Sequence, residues 1–213
     1  MLGTDVGPAE DLEFWLAFLR RLVSRGLRGV RLVTSDSHLG LNQAVAQVLT
    51  GATWQRCRVH FMRNALSTVP KAAQQMVAAT LRTIFAQPDR AGAQESIARI
   101  SRLFERRFPK LVAVLQEAEV DILAFHSFPL EHRRQIWSTN ALERLNREVG
   151  RRCEVVGIFP NRPSLLRLVG AVLEEQNGEW AVGRRYFSQE SMNKLTEPTQ
   201  EEVVQALLEL QTA

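Results

Sequence analysis

The feature that most constrains the fold is a change of hydrophobic period near residue 60. Before it, helical and strand-like segments alternate. Glu10–Ser24 carries Leu12, Trp15, Leu16, Leu19 and Val23 at helical spacing, and Gly26 closes it. Val30–Asp36 is a short β-rich run ending in an acid, Leu39–Leu49 is helical again, and Thr53–Val59 leans to strand. Met1–Val6 reads as the end of one more strand, closed by Gly7 and Pro8. Strand, helix, strand, helix in this order predicts parallel strands joined by crossover helices.

From Phe61 to Glu119 no strand run occurs, and the apolar stripe is helical throughout. Lys71–Phe85 and Asp89–Phe108 are separated by Gln87 and Pro88, and a further helix follows Pro109. Phe125–Pro129 breaks the pattern, which resumes over Thr139–Arg152 and again over Pro163–Arg185. The expected architecture is an α/β unit, residues 1–61, interrupted by an all-helical insertion, 62–130. Helices in 131–187 complete it, and 188–213 form a polar peripheral tail. No internal repeat or low-complexity tract is visible.

Composition narrows the class. The 213 residues are 45% hydrophobic and 23% charged, ordinary for a soluble globular protein with a real core. The apolar stretches Leu111–Leu115 and Leu168–Leu173 are too short to span a bilayer, and the first residues do not read as a signal peptide. Two cysteines make no disulfide framework, so a reducing, cytoplasmic setting is expected. Lys plus Arg number 27 against 23 acids, a net charge of only +4, but most of the bases are arginine, which is suited to bidentate phosphate contact.

Three places could carry chemistry. Asp36 stands at a strand's carboxyl end, where α/β proteins gather ligand and metal groups, although an Asp there could equally cap the helix beginning near His38. Glu143 shares a helical face with Asn140, Arg144, Arg147 and Arg151, while Leu142, Leu145 and Val149 fall on the opposite, buried side. One acid among arginines suits a metal ion approached by a phosphate backbone. A capping box from Asn140 to Glu143, or a Glu143–Arg147 pair, would account for the same residues structurally. Cys57 and His60 form a Cys-x-x-His pair, but zinc wants four ligands. Cys153, His38, His126 and His132 supply no tight second pair, so a structural zinc is not expected. Trp15 reads as core. Trp54, Trp137 and Trp180 flank the acidic motifs, where packing is the default and base stacking the alternative.

Taken in order, LGTDVG (2–7), RGLRGV (25–30), TSDSHLGL (34–41), WQRCRVHFMRN (54–64), STNALERLN (138–146), Arg151-Arg152, GIFPN (157–161) and LRL (166–168) resemble the Mutator-type transposases of bacterial insertion sequences. The resemblance implies a ribonuclease-H-like α/β core with an Asp-Asp-Glu triad and a helical insertion ahead of the Glu. Asp36 matches the second Asp, Glu143 the Glu, and Cys57 with His60 the family's Cys-x-x-His signature, which belongs to the catalytic core. It further implies cleavage of transposon ends and their joining to target DNA by an oligomer on DNA. Two Mg²⁺ ions (or Mn²⁺) would assist in-line phosphoryl transfer, held by Asp36 and Glu143. Arg144, Arg147, Arg151 and Arg152 are candidates for phosphate contacts.

The family's first Asp belongs to a strand expected before Met1. Asp5 would lie on a different strand, about two spacings of ~4.8 Å from the Asp36 strand's partner position. The chain by itself is therefore expected to be catalytically silent and its sheet edges prone to association. Two other functions compete with a transposase: a non-catalytic DNA-binding or inhibitory fragment, and a helical interaction protein whose acids merely cap helices.

Overall fold

The computed structural model describes residues 1–183 and 187–195. The end of the expected last helix, 184–186, and most of the expected tail, 196–213, lie outside the described residues.

The described residues are mainly helical, with one small parallel sheet among them. Helix α1 (Leu12–Ser24) starts at Asp11, whose carboxylate accepts from Phe14 N–H at 2.8 Å, and ends before Gly26, whose φ of 103° suits a residue without a Cβ. Strand β1 (Leu32–Ser35), helix α2 (Leu39–Val48) and strand β2 (Thr53–Arg56) form a parallel crossover unit, with Leu32 opposite Thr53 and Ser35 opposite Arg56. Its apolar centre is Leu19, Leu22, Ala44 and Val45, between α1 and α2. On α1 the buried stripe includes Leu22, while Val23 faces solvent. The two helices touch closely at Gly40: a Cβ there would lie 2.8 Å from Leu12 N, so only glycine permits the approach.

Met1–Val6 is not a strand. A strand needs a hydrogen-bonded neighbour, and this segment instead runs along helices. The Met1 ammonium donates to Asn177 Oδ1 at 2.8 Å, and Asp5 pairs with Arg21 and Arg162. Burial opposes ionisation of Asp5, but the hydrogen bonds from Arg21, the Val6 amide and Arg162 outweigh it and hold its pKa at about 2. Asp5 is thus a structural anchor.

The expected strand over Thr53–Val59 also stops early. Cys57 is already the residue before α3 (Arg58–Ser67). Helices α3, α4 (Lys71–Phe85), α5 (Arg90–Phe104) and α6 (Pro109–Ile122) then pack around a large core running from Phe61 to Phe125, with Leu81, Ile84, Leu111, Leu115 and Ile122 fully buried. Asp89 caps α5, and Pro109 opens α6 where its missing N–H costs nothing. A 3₁₀ turn (Ala124–Ser127) leads into a short helix, α7 (Leu130–Ile136), that the sequence pattern did not reveal. Helices α8 (Asn140–Val156) and α9 (Arg162–Val182) form a hairpin, followed by α10 (Gln189–Asn193).

Candidate functional site at the carboxyl edge of the sheet

Because β1 and β2 are parallel and in register, both leave the sheet at the same edge. The Cys57 amide donates to Ser35 O at 2.6 Å, which sets Asp36 and Cys57 side by side at the strand ends. Asp36 is exposed, and among the described residues its carboxylate takes no hydrogen bond or ion pair. It does not cap α2. His38 does so instead, its Nδ1 accepting from Leu41 N–H at 3.3 Å, because the chain turns once more, His38 N–H to Asp36 O at 2.9 Å, before the helix begins.

The joint between α7 and α8 is brought to this edge by hydrogen bonds that reach across the whole helical block. Thr34 Oγ1 donates to Ile136 O at 2.6 Å, and Arg58 N–H to Trp137 O at 2.9 Å. The Thr139 amide and hydroxyl point at Cys57 Sγ, at 3.4 and 3.2 Å. The same hydroxyl lies 3.3 Å from Glu143 Oε1, so its single proton serves either the sulfur or the carboxylate. Thr139 is also the residue from which α8 springs, its carbonyl accepting from Glu143 N–H at 2.9 Å. The capping box from Asn140 therefore does not form, since Asn140 is already inside the helix. Glu143 lies in the first turn, where the helix dipole favours a carboxylate.

His60, on the first turn of α3, places Nε2 3.7 Å from Glu143 Oε1, while its Nδ1 is buried and finds no partner among the described residues. Donor atoms of Cys57, His60 and Glu143 all lie within 4.8 Å of one another, and among the described residues no fourth ligand joins them. The Cys-x-x-His pair does not lie along a strand, since Cys57 already precedes α3. It is a strand-to-helix corner whose two side chains face the carboxylate of a distant helix. The partner of Glu143 is His60 rather than Arg147.

The basic residues divide. Arg144 and Arg147 are exposed and free of ion pairs among the described residues. Arg151 and Arg152 are already engaged: both bond Glu148, at 2.7 to 2.9 Å, and Arg152 also faces Glu175 at 3.5 Å. The hydrogen bonds from Arg151 and Arg152 hold the Glu148 carboxyl at about 2. Glu148 lies three and four residues before these two arginines, a pairing distance visible in the sequence. Leu142 also departs from expectation: it is 53% exposed, whereas Leu145 is buried. Trp137 is half-buried, edge-on to Phe125, and Trp54 donates to Ser35 Oγ at 2.8 Å, so both serve packing. Trp180 is largely exposed. The residue that sequence reasoning overlooked is Thr139. A threonine just ahead of an apolar-periodic run was the available signal.

Among the described residues no helix is long and apolar enough to cross a membrane. A family model described as transposase, Mutator family, matches residues 1–183. The chain is 50% identical over 197 residues to the transposase for insertion sequence element IS1081 of Mycobacterium tuberculosis, covering 91% of this chain and 47% of that protein. It is 41% identical over 189 residues to the transposase for IS406 of Burkholderia multivorans, covering 88% and 49%. To the transposase for IS256 in transposon Tn4001 of Staphylococcus aureus it is 36% identical over 189 residues, covering 88% and 48%. The chain spans about half the length of these relatives. A match along almost the entire described chain, over the same segments that build the strand-end site, places it by descent: this chain belongs to the Mutator family of transposases.

Proposed function

We propose that this chain is the part of a metal-dependent DNA transposase that contributes Asp36 and Glu143, two of three metal-holding carboxylates. The surrounding fold is read as a ribonuclease-H-like core (1–61 with 131–187) interrupted by a helical insertion (62–130). The observation that carries this reading is the cluster of Cys57, His60 and Glu143 at the sheet edge where β1 runs out into Asp36, whose own carboxylate lies outside that cluster. The edge is stitched by Thr34–Ile136, Arg58–Trp137 and Cys57–Thr139 across the intervening helices. A helix cap or a surface ion pair would not require such a seam.

The donor set fits a hard divalent ion. Asp36 offers a carboxylate with no competing partner among the described residues, and Glu143 offers one steadied by the Thr139 hydroxyl and the nearby His60 imidazole. When bound there, Mg²⁺ or Mn²⁺ would polarise a phosphodiester and activate water or a 3′-hydroxyl for in-line attack. Asp36 and Glu143 would hold the ions. Thr139 and His60 are positioning residues: the hydroxyl orients one Glu143 oxygen, and the imidazole occupies the same side. Cys57, fully buried, anchors Thr139. Arg144 and Arg147 remain free to meet DNA phosphates, on transposon ends and on target, with the protein acting as an oligomer on DNA.

Mn²⁺ binding to the 213-residue chain, followed by electron paramagnetic resonance, tests this. Asp36→Asn and Glu143→Gln should each weaken Mn²⁺ binding by roughly ten-fold or more, and Thr139→Val by a few-fold, since carboxylate ligands dominate affinity for hard ions. The chain by itself should neither cleave transposon ends nor join strands. Mn²⁺ binding indifferent to both acids, or robust strand transfer by these 213 residues, would overturn the reading.

A further inference from the structure

On the side of the α7–α8 joint that faces the helical block lies an open cleft of about 710 Å³. Arg58 of α3, Arg82 of α4, Arg134 of α7 and Arg144 of α8 line it, together with Trp137 and Asn140, and no carboxylate does. Four arginines elsewhere are matched, Arg21 and Arg162 by Asp5 and Arg151 and Arg152 by Glu148. The four cleft arginines form no ion pair among the described residues.

Arg58 is the most constrained of them. Its guanidinium sits 4.6 Å from the centre of the Phe85 ring and 4.5 Å from that of Trp137, and its backbone N–H is tied to Trp137 O. The aromatic clamp fixes the plane of the fork, so little side-chain freedom is left to lose on binding. Burial, and then the neighbouring charge of Arg82, both work against the Arg58 cation and push its pKa down. A guanidinium keeps its proton all the same, so Arg58 and Arg82 stand side by side in the open cleft as two cations with no carboxylate between them. Four cations from four separate helices, lining one open cleft without a counter-charge, are complementary to a polyanion arriving from outside.

We infer that this cleft is a binding site for the phosphodiester backbone of DNA, seating a strand beside the first turn of α8, on which Glu143 stands. The inference rests on the reading of the chain as a DNA-handling transposase. It moves the main phosphate-binding surface from the distal turns of α8, where Arg151 and Arg152 are satisfied, to the groove between the helical block and α7–α8. Arg58 supplies the rigid contact and Arg82, Arg134 and Arg144 the mobile ones. Asn140 adds a neutral hydrogen-bonding group at the rim. Trp137 and the stems of Met62 and Leu66 form the apolar floor.

The test is DNA binding by the 213-residue chain, measured by fluorescence anisotropy with a labelled duplex across a range of salt, in EDTA so that the metal site plays no part. The double variant R82Q/R134Q should bind about ten-fold more weakly at 0.1 M salt, with the slope of log affinity against log salt shallower by about two. R151Q/R152Q should change affinity by less than about two-fold, because its cations are already paired. Arg82 and Arg134 are both exposed, so the substitutions should leave the fold intact, and R82K/R134K, which keeps both charges, should restore most of the affinity. Unchanged binding by R82Q/R134Q, or equal losses in the two glutamine pairs, would overturn the inference while leaving DNA binding itself in place. Tripolyphosphate titrated calorimetrically separates the remaining source of phosphate. If it binds tightly through Arg82 and Arg134 while duplex DNA does not bind, the assignment to DNA is wrong.

Discussion

Between Phe61 and Phe125, helices α3 to α6 close round twenty buried apolar residues, whereas α1, α2 and the two strands close round four. The helical block holds itself together by burial. The α/β edge, which carries Asp36 and Cys57, is held largely by directional bonds to its neighbours: Gln55 to the end of α6 and the turn after it, Thr34 to α7, and Cys57 to the start of α8. The α8–α9 hairpin is looser still. Leu142, Val155, Val156, Ile158, Trp180 and Val182 all expose much of their surface. The contrast assigns separate duties to the two regions. The helical block is the body against which the strand-end edge is registered, and the edge owes its geometry largely to a few polar ties.

That contrast can be broken most directly in the cores. Leu115→Ala, at a fully buried position of the block, should lower stability by about 3–5 kcal/mol in urea denaturation. Leu22→Ala, in the smaller core and less enclosed, should cost about half as much, because a partly open site relaxes into the gap. Equal losses would mean that the two regions share one core. The seam offers a smaller effect. Gln55 is fully buried, accepting from Phe125 N–H at 2.8 Å and donating to Ile122 O at 3.3 Å. Gln55→Leu should cost about 2–3 kcal/mol, since it strands a buried backbone N–H and carbonyl together. Mn²⁺ binding should weaken in parallel if the seam registers the edge. No change in metal binding would separate the edge from the block.

The smallest effect concerns pH. His126, buried at the end of the block beside Arg133, has its pKa lowered from 6.5 to about 4, by burial first and by the Arg133 charge second. The unfolded chain therefore binds more protons than the folded one between those two values. Stability should fall as pH drops through that window, by on the order of 2 kcal/mol. Urea midpoints at pH 7 and pH 4.5 check this against His126→Gln, which should lose that part of the pH dependence.

Much of the architecture was legible because it rests on local pattern. The apolar stripes gave α1, α2 and the helices of the block, Gly26 gave the end of α1, and the turn from Arg56 to Arg58 shortened the second strand by only a few residues. The misreadings came from contacts that no window of sequence contains. Met1–Val6 has strand composition but lies against α1 and α9, where its polar groups find Asn177, Arg21 and Arg162 instead of a ladder. Asp36 has the right chemistry for a cap, yet one extra turn of backbone hands that task to His38 and leaves the carboxylate without a partner among the described residues. The link from Thr139 to Cys57 and the cleft around Arg58 join segments far apart in the chain, so neither could be read from periodicity. Glu148, by contrast, was readable at i−3 and i−4 from Arg151 and Arg152, and already pairs with both.

The central proposal is that one metal site forms where Asp36 ends β1, beside the Cys57–His60 corner and the first turn of α8. Replacing Mg²⁺ with Fe²⁺ and generating hydroxyl radicals in place cuts the backbone beside the bound ion, and mass spectrometry maps the cuts. The account predicts cleavage in all three segments, near 35–37, 57–60 and 139–143, abolished together by Glu143→Gln and competed away by Mg²⁺. Cuts confined to one segment, or persisting undiminished in Glu143→Gln, would contradict it.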